Sequence, residues 1–375
     1  MTKNKLYIIT STAEAGTFET LPVTPEMELI SHEELGKSDI IFNENQKVCI
    51  TSEFSLATVL DHLDPARKRA VTLLKDKFRF REILSEIYPE YQYRLIKIED
   101  VGSLRVDKKS VIKPVRGCFG TAVRVVDKNT DFGLLSSELK AELEKNSKVY
   151  QNSVLSNDSF IIEDFIEGEE YAVDMFYGSS GEPRIVNILH HPVPKNKAYI
   201  HMAYNSSKKA FDEVYDIAKT FLQKINNILK VRNFVMHVEI KVYNGEVYPI
   251  EINCMRFGGM GLCNLIYFSH GINSFTCFNN DSEPDLEKMW KNKEQDVYTY
   301  FIAYNGVNSP VDQYAPNRDK LKKMFTEVLH EEPFDHRKQL CFGVYFLRET
   351  EENISNIMNI EFDDFFEISS PDIGR

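Results

Sequence analysis

The sequence predicts a mixed α/β (α+β) fold with more than one subdomain. Short β-rich runs alternate with helix-like segments in the first 63 residues, which is typical of a small α/β domain. The pair Asn244-Gly245 joins two strand-like runs, 234–243 and 246–253, and this pattern predicts a β-hairpin. A chain of 375 residues with 42% hydrophobic content is too long for one small core, so two or three subdomains are expected.

The N-terminal elements follow from runs of β-branched and apolar residues. Strands are expected at 5–10, 38–43 and 47–52. A helix is expected at 55–63. Residues 66–88 are predicted to form one helix, because apolar residues recur at helical spacing up to Pro89, which ends it.

Beyond residue 90 the pattern predicts a larger strand-rich region. Strands are expected at 111–115, 122–126, 160–166, 169–177 and 184–193. A long amphipathic helix at 211–231 precedes the hairpin. After residue 280 we expect a strand at 297–306, a helix at 318–329 and a strand at 340–349.

Charge and cysteine content narrow the function classes. The formal net charge is −12, which argues against a broad nucleic-acid-binding surface. Six scattered cysteines without a C-x-x-C pair indicate reduced thiols and a cytoplasmic protein. The N-terminus resembles a first strand and not a signal peptide, and no apolar stretch reaches membrane-spanning length.

The predicted hairpin carries oxygen ligands at its end. Side chains alternate along a strand, so Glu239 lies on one face of the first strand, and Glu251 and Asn253 share a face of the second. If these faces coincide, three hard oxygen donors converge, which suits Mg²⁺. An ordinary exposed strand face would explain the Glu-x-Asn pattern by itself.

The residues after the hairpin favour a ligand site over that simpler explanation. Arg256 follows at once and can hold a phosphate or carboxylate through two parallel hydrogen bonds. The glycine-rich run 258–261 allows the backbone to approach a ligand closely.

Two further stretches carry weaker signals. Lys113 precedes a turn that contains Gly117 and Gly120, and such a turn can direct backbone N–H groups at an anion. The stretch lacks the G-x-x-x-x-G-K-[ST] and G-x-G-x-x-G patterns, so the corresponding phosphate loops are excluded. In the other stretch, Glu163 and Glu170 flank a turn between two strands, and an acidic turn would explain it by itself.

In this order, the three stretches resemble the ATP-grasp superfamily of ATP-dependent carboxylate ligases. The hairpin and its continuation, 237–259, are the most specific match, and the segment 255–273 is similar to the branch that includes L-amino-acid ligases. The likeness covers roughly residues 45–280, with a shortened N-terminal domain before it, and the residues after 280 match nothing.

The resemblance implies an ATP-grasp fold in three parts. We expect a small N-terminal α/β domain at 1–75, a lid domain at 76–180, and a core sheet domain at 181–375 that holds the metal site and a C-terminal extension.

The resemblance also implies a role for each matching residue. Lys77 and Lys113 would contact the ATP phosphates, and the turn with Gly117 and Gly120 would cover them. Arg256 would steady the transferring phosphate, so Arg256 and Lys113 are the candidate catalytic residues. The remaining candidates are the adenine contacts Glu163, Asp164 and Ile166, the ribose ligand Glu170, and the metal ligands Glu239, Glu251 and Asn253.

The chain departs from the family pattern at several positions. Cys118 and Phe119 occupy the lid turn where many members have small residues, and Cys254 stands where proline is frequent. His237 occupies a position where some members have arginine, and its role stays open. His190 and His191 are left out of the catalytic set, because a histidine on a strand is more often structural.

The implied activity is an ATP-dependent carboxylate–amine ligase that forms an amide or peptide bond through an acyl-phosphate and releases ADP and phosphate. The implied cofactors are ATP and Mg²⁺, with Mn²⁺ as an alternative metal. The partners are then a small carboxylate and an amine, with amino acids favoured, and the C-terminal region is a candidate homodimer surface. Two alternatives remain: loading of an amino acid onto a carrier-protein thiol, and a non-enzymatic nucleotide-binding protein on the same fold.

Overall fold

The computed structural model describes residues 5–11, 23–117, 120–146, 158–196 and 199–369. Within them lie a three-stranded, a four-stranded and an eight-stranded sheet, together with a two-stranded ribbon. The predicted mixed α/β class is confirmed.

The N-terminal sheet is parallel. It contains β1 (Leu6–Thr10), β2 (Met27–Ser31) and β3 (Lys47–Ile50), in the order β2-β1-β3. The helices α1 (His32–Leu35) and α2 (Leu56–Asp61) accompany it.

The strand predicted at 38–43 is wrong. The segment forms a single bridge from Phe42 to Leu63, and β2 takes the place in the sheet. The physical reason is burial, because Ile40 and Ile41 are exposed and only Phe42 enters the core.

The helix predicted at 66–88 is two helices, α3 (Pro65–Lys75) and α4 (Lys77–Leu84). Asp76 between them is extended, with φ −92° and ψ 108°, and its carboxylate accepts from the backbone N–H groups of Phe78 and Arg79. This cap starts a new helix, since a short acidic side chain satisfies the free N–H groups of the first turn. The break places Lys75 at the end of one helix and Lys77 at the start of the next.

The four-stranded sheet is antiparallel, in the order β4-β7-β5-β6. Its strands are β4 (Tyr93–Lys97), β5 (Ser110–Pro114), β6 (Arg124–Val126) and β7 (Ser159–Asp164). Helix α5 (Phe132–Asn146) buries Leu135, Leu139 and Leu143 in the same small core as Ile112 and Phe160.

The eight-stranded sheet is antiparallel throughout, in the order β12-β11-β8-β9-β10-β13-β16-β15. In chain order, the strands from here onward are β8 (Glu169–Tyr177), β9 (Pro183–His190), β10 (Ala203–Ser207), β11 (Phe234–Tyr243), β12 (Glu246–Cys254), β13 (Val297–Tyr304), β14 (Tyr314–Pro316), β15 (Glu327–Pro333), β16 (Cys341–Glu349) and β17 (Phe366–Ile368). Strands β14 and β17 form the separate ribbon.

Helices cover this sheet and follow its edges. The longest is α6 (Lys208–Leu229), whose buried face includes Val214, Phe221 and Ile225. The others are α7 (Leu265–His270), α8 (Ser274–Asn280), α9 (Leu286–Trp290), α10 (Arg318–Lys322) and α11 (Glu351–Ile357). The chain after residue 280 adds β13, β15 and β16 to the sheet.

The helix predicted at 318–329 is only partly present. Helix α10 ends at Lys322, and the chain from Glu327 onward becomes β15, an edge strand paired with β16. Pairing across the sheet overrides a helical pattern that is only local.

The five cysteines among the described residues are buried and form no disulfide. No helix in this part of the chain has the length and apolarity needed to cross a membrane. Strand β8 lies within the predicted lid segment 76–180, but it belongs to the eight-stranded sheet. The division into the domains 1–75, 76–180 and 181–375 stays a prediction.

Candidate active site

The hairpin β11–β12 brings the predicted metal ligands together. Its turn residues Asn244 and Gly245 have φ values of 51° and 78°, as a tight hairpin turn requires. In the resulting register Glu239 pairs with Glu251. The Asn253 amide donates to Glu239 Oε1 at 3.2 Å, so the three side chains share one face.

The electrostatics of this group fit a cation. Burial and the neighbouring Glu251 raise the pKa of Glu239. Burial also opposes the charge of Glu251, but Lys77 and Lys75 outweigh it and lower the pKa of Glu251. Two carboxylates and one amide oxygen match the ligands of Mg²⁺, which takes one or two carboxylates and completes its shell with phosphate and water. No group of three or more His, Cys, Asp or Glu side chains suited to a metal occurs among the described residues, so Asn253 is essential to this set.

The two predicted phosphate lysines lie next to the hairpin. Lys77 Nζ is 3.1 Å from Glu251 Oε2 and donates to the Gly117 carbonyl at 3.3 Å. Lys113 Nζ is 2.5 Å from Glu163 Oε1. Burial lowers the pKa of Lys113, with Glu163 acting in the opposite direction.

Glu163 is the centre of a buried group that we call the Glu163 cluster, with Arg81 and Lys113. Arg81 Nε and Nη2 donate to the Glu163 carboxylate at 2.6 and 3.2 Å. Burial disfavours the charge, but Arg81 and Lys113 bring the pKa of Glu163 down to about 2. Glu163 is therefore held between two cations here, and its contact with adenine stays a prediction.

A β-bulge helps to seat Arg81. Pro249 cannot donate to a ladder, and the register of the hairpin shifts between Glu239 and Ile240, opposite this proline. Arg81 Nη1 donates to the Pro249 carbonyl at 2.7 Å. Arg81 was missed from sequence, although its spacing of four residues from Lys77 places both on one face of α4.

The predicted adenine-binding backbone follows β7. The Asp164 carbonyl accepts from the Tyr91 hydroxyl at 2.9 Å, and the Ile166 carbonyl accepts from Lys241 Nζ at 3.1 Å. Asp164 ends β7 in the four-stranded sheet, and Lys241 lies on β11 in the eight-stranded sheet, so the segment connects the two sheets.

The predicted ribose ligand, Glu170, is fixed by His191. The Nδ1 of His191 lies 2.8 Å from Glu170 Oε1, and its Nε2 lies 2.9 Å from the Ile200 carbonyl. Both neighbours are acceptors, which favours an imidazole that donates from both ring nitrogens. Burial opposes this, but Glu170 raises the pKa of His191. His191 thus holds the Glu170 carboxylate in place, whereas His190 contacts Glu169 at 3.0 Å.

Arg256 belongs to a second charged group, the Glu53 cluster, with Glu53 and Lys75. Arg256 Nε donates to Glu53 Oε1 at 2.9 Å, and Lys75 Nζ is 3.0 Å from Glu53 Oε2. Burial disfavours the charge of Glu53, but the two cations bring its pKa down to about 2. Glu53 and Lys75 were missed from sequence.

The glycine run after Arg256 is held by a buried aspartate. Asp174 accepts from the Gly258 N–H at 2.7 Å and from His237 Nδ1 at 2.8 Å. A Cβ at Gly258 would lie 2.9 Å from the Leu262 side chain, so glycine is required there. His237 therefore supports the backbone that carries Arg256 into the site.

The lid turn is described at its ends. Gly120 has φ +66°, which favours glycine, and a Cβ there would meet the His201 ring at 3.9 Å. Cys118 and Phe119, the departures from the family pattern, lie outside the described residues.

Comparison with known proteins agrees with this geometry. Residues 106–264 match the sequence model of the ATP-grasp domain family. No curated protein sequence matches significantly.

Several solved structures share the fold. An L-amino acid ligase from Bacillus licheniformis has a TM-score of 0.70 at 15% identity, with 99% of this chain and 100% of that chain covered. An N5-carboxyaminoimidazole ribonucleotide synthetase from Thermotoga maritima has a TM-score of 0.57 at 12% identity, with 98% and 99% covered. A β,γ-ATP complex of biotin carboxylase from Campylobacter jejuni has a TM-score of 0.57 at 12% identity, with 97% and 86% covered. Residues 106–264 are therefore similar to the ATP-grasp domain family, and the chain has the fold of these ATP-dependent enzymes, among them an L-amino acid ligase.

Proposed function

We propose that the protein is an ATP-dependent carboxylate–amine ligase that takes amino acids as substrates and releases ADP and phosphate. The observation that carries the proposal is a set of neighbouring ion pairs. Lys113 pairs with Glu163, Lys77 with Glu251, and Arg256 with Glu53. Lys77, Lys75 and Lys113 together lower the pKa of Glu251. A phosphoryl transfer needs cations on both sides of the moving group, and these pairs supply them.

The metal fits the hairpin. Glu239, Glu251 and Asn253 would hold Mg²⁺, which neutralises charge on the phosphate oxygens when it is bound. Lys77 would contact the phosphates from the first turn of α4. Its ammonium pairs with Glu251, which reduces the repulsion between Glu251 and Glu239.

The chain's own side chains suit the chemistry of an acyl-phosphate. The γ-phosphoryl group leaves ADP and forms a P–O bond to the substrate carboxylate. The amine then attacks the carbonyl carbon, the C–O bond to phosphate breaks, and the amine loses a proton. Arg256 can hold the transferring group through paired hydrogen bonds. Lys113 can hold the phosphates from the side of the four-stranded sheet, where a closing lid would exclude water.

Several finer statements belong to the same proposal. Glu163, Asp164 and Ile166 would meet adenine, and Glu170 would hold the ribose. The turn with Gly117 and Gly120 would cover the phosphates. The protein would work in the cytoplasm, with the sheet extension after residue 280 as its homodimer surface.

A product screen tests the proposal. Purified protein with Mg²⁺ and ATP is incubated with pairs of amino acids, and ADP release is measured together with mass spectrometry of the products. We expect ADP release that depends on an amino-acid pair and a product whose mass is the sum of the pair less water. Binding of Mg–ADP without ADP release from any pair would favour the non-enzymatic alternative. Release that requires a phosphopantetheine carrier would favour the thiol acceptor.

A further inference from the structure

The Glu53 cluster differs from the Glu163 cluster in its exposure. Its three side chains alternate in charge, and each remains 13% exposed. The Glu163 cluster is more enclosed, with side-chain exposures between 2% and 5%. The Glu53 cluster is therefore the more exposed of the two, and its cations are partly accessible.

Lys75 also reaches the metal hairpin. Its Nζ lies 3.4 Å from Asn253 Oδ1, on the side opposite the Asn253 amide nitrogen that contacts Glu239. One ammonium thus adjoins a proposed metal ligand and, through Glu53, the guanidinium of Arg256. A phosphoryl group held between the metal and Arg256 would lie beside this ammonium.

Within the Glu53 cluster, one carboxylate pairs with two cations, Lys75 and Arg256. Glu251 is a further negative group that acts on Lys75. Two cations held together in partly buried surroundings can bind an anion such as a phosphate. The side chain of Glu53 holds both cations and so sets the distance between them.

We propose that Lys75 is a third lysine of the phosphate site, which contacts the γ-phosphoryl group next to Arg256, and that Glu53 positions both cations. The proposal rests on the proposed function and adds to it a residue from α3 and a residue from the N-terminal unit. Lys75 touches the transferring group and is a catalytic residue. Glu53 acts through Lys75 and Arg256 and is a positioning residue.

Nucleotide binding tests the assignment of Lys75. Calorimetry of the full chain with Mg²⁺ compares ADP with a non-hydrolysable ATP analogue, which adds only the γ-phosphate. The variants are Lys75→Met, Lys75→Gln and the control Lys68→Met. Lys68 lies on the same helix, is 49% exposed and pairs only with Asp61 in the described part of the chain.

The expected result is selective for the γ-phosphate. Lys75→Met and Lys75→Gln lower the affinity for the analogue by about tenfold or more, as loss of one charged hydrogen bond does, while the affinity for ADP changes by less than about twofold. Lys68→Met changes neither. Lys75→Gln keeps a donor for Glu53 and serves if Lys75→Met does not fold.

A structural role predicts another pattern. The assignment of Lys75 is overturned if both variants change the affinities for ADP and for the analogue by the same factor. It is also overturned if both variants leave the two affinities unchanged while the wild type binds the analogue. If the wild type binds neither nucleotide, the proposed function itself fails. Glu53→Gln supplies the positioning readout: it should lower the ratio of analogue to ADP affinity in the same direction as Lys75→Met, and an unchanged ratio would remove Glu53 from the proposal.

Discussion

The Glu163 and Glu53 clusters have the same charge arrangement, in which a carboxylate lies between two cations. Glu163 holds Arg81 and Lys113, and Glu53 holds Lys75 and Arg256. In both clusters the paired cations bring the carboxylate pKa to about 2.

The two clusters differ in depth. The Glu163 cluster is almost fully enclosed, where an unpaired charge is expensive, so each charge there depends on the others. The Glu53 cluster is more exposed, so water can replace a missing partner there. The same charge pattern therefore depends more strongly on its internal partners in the Glu163 cluster than in the Glu53 cluster.

The largest expected effect is on stability. Glu163→Gln leaves Arg81 and Lys113 buried without a counter-charge and should lower the free energy of unfolding by about 3–5 kcal/mol. Urea denaturation measures this loss. Glu167→Gln, at an exposed pair with Lys109, should change the free energy by less than about 0.5 kcal/mol. A loss below about 1 kcal/mol for Glu163→Gln would contradict the distinction by depth.

The next expected effect is on the proposed reaction. Glu251→Gln removes a carboxylate that pairs with Lys77 and that we propose as a metal ligand. We expect a folded protein whose ATP-dependent ligation falls about a thousandfold or more. Glu246→Gln, exposed on the same strand, should retain activity. Full activity in the Glu251 variant would remove the metal assignment.

Nucleotide affinity comes third. Lys113→Ala removes a proposed phosphate contact, and the dissociation constant for an Mg–ATP analogue should rise about ten- to a hundredfold. Calorimetry measures the dissociation constant. The control is Lys128→Ala, which changes an exposed turn residue that follows β6. An unchanged constant would leave Lys113 with a structural role only.

The smallest effect sharpens the comparison directly. Glu53→Gln should cost about 1–2 kcal/mol of unfolding free energy, because Lys75 and Arg256 retain access to water. Urea denaturation of both variants compares this loss with the loss for Glu163→Gln. Equal losses for the two variants would show that depth does not separate the clusters.

Local patterns predicted the hairpin well and the clusters only in part. Strand alternation predicted that Glu251 and Asn253 share a face, and the Asn-Gly turn predicted the hairpin. Whether Glu239 lies on the same face was left open, and the register shows that it does. The partners of Arg256 and Glu163 were missed because they are distant in the chain. Glu53 lies 203 residues from Arg256, and Arg81 lies 82 residues from Glu163.

Helix boundaries show the same limit. Apolar spacing continued through Asp76, and only its capping geometry shows that the helix stops there and sets Lys75 and Lys77 at the site.

The amino-acid sequence by itself determined the mixed α/β class, the hairpin and the side chains that suit phosphate and metal, because alternation, turn chemistry and residue type act over a few neighbouring residues. The tertiary structure alone decided which cation pairs with which carboxylate and how deeply each pair lies. Those outcomes depend on the docking of three sheets, and the strength of a charge interaction is set by the burial that this docking creates.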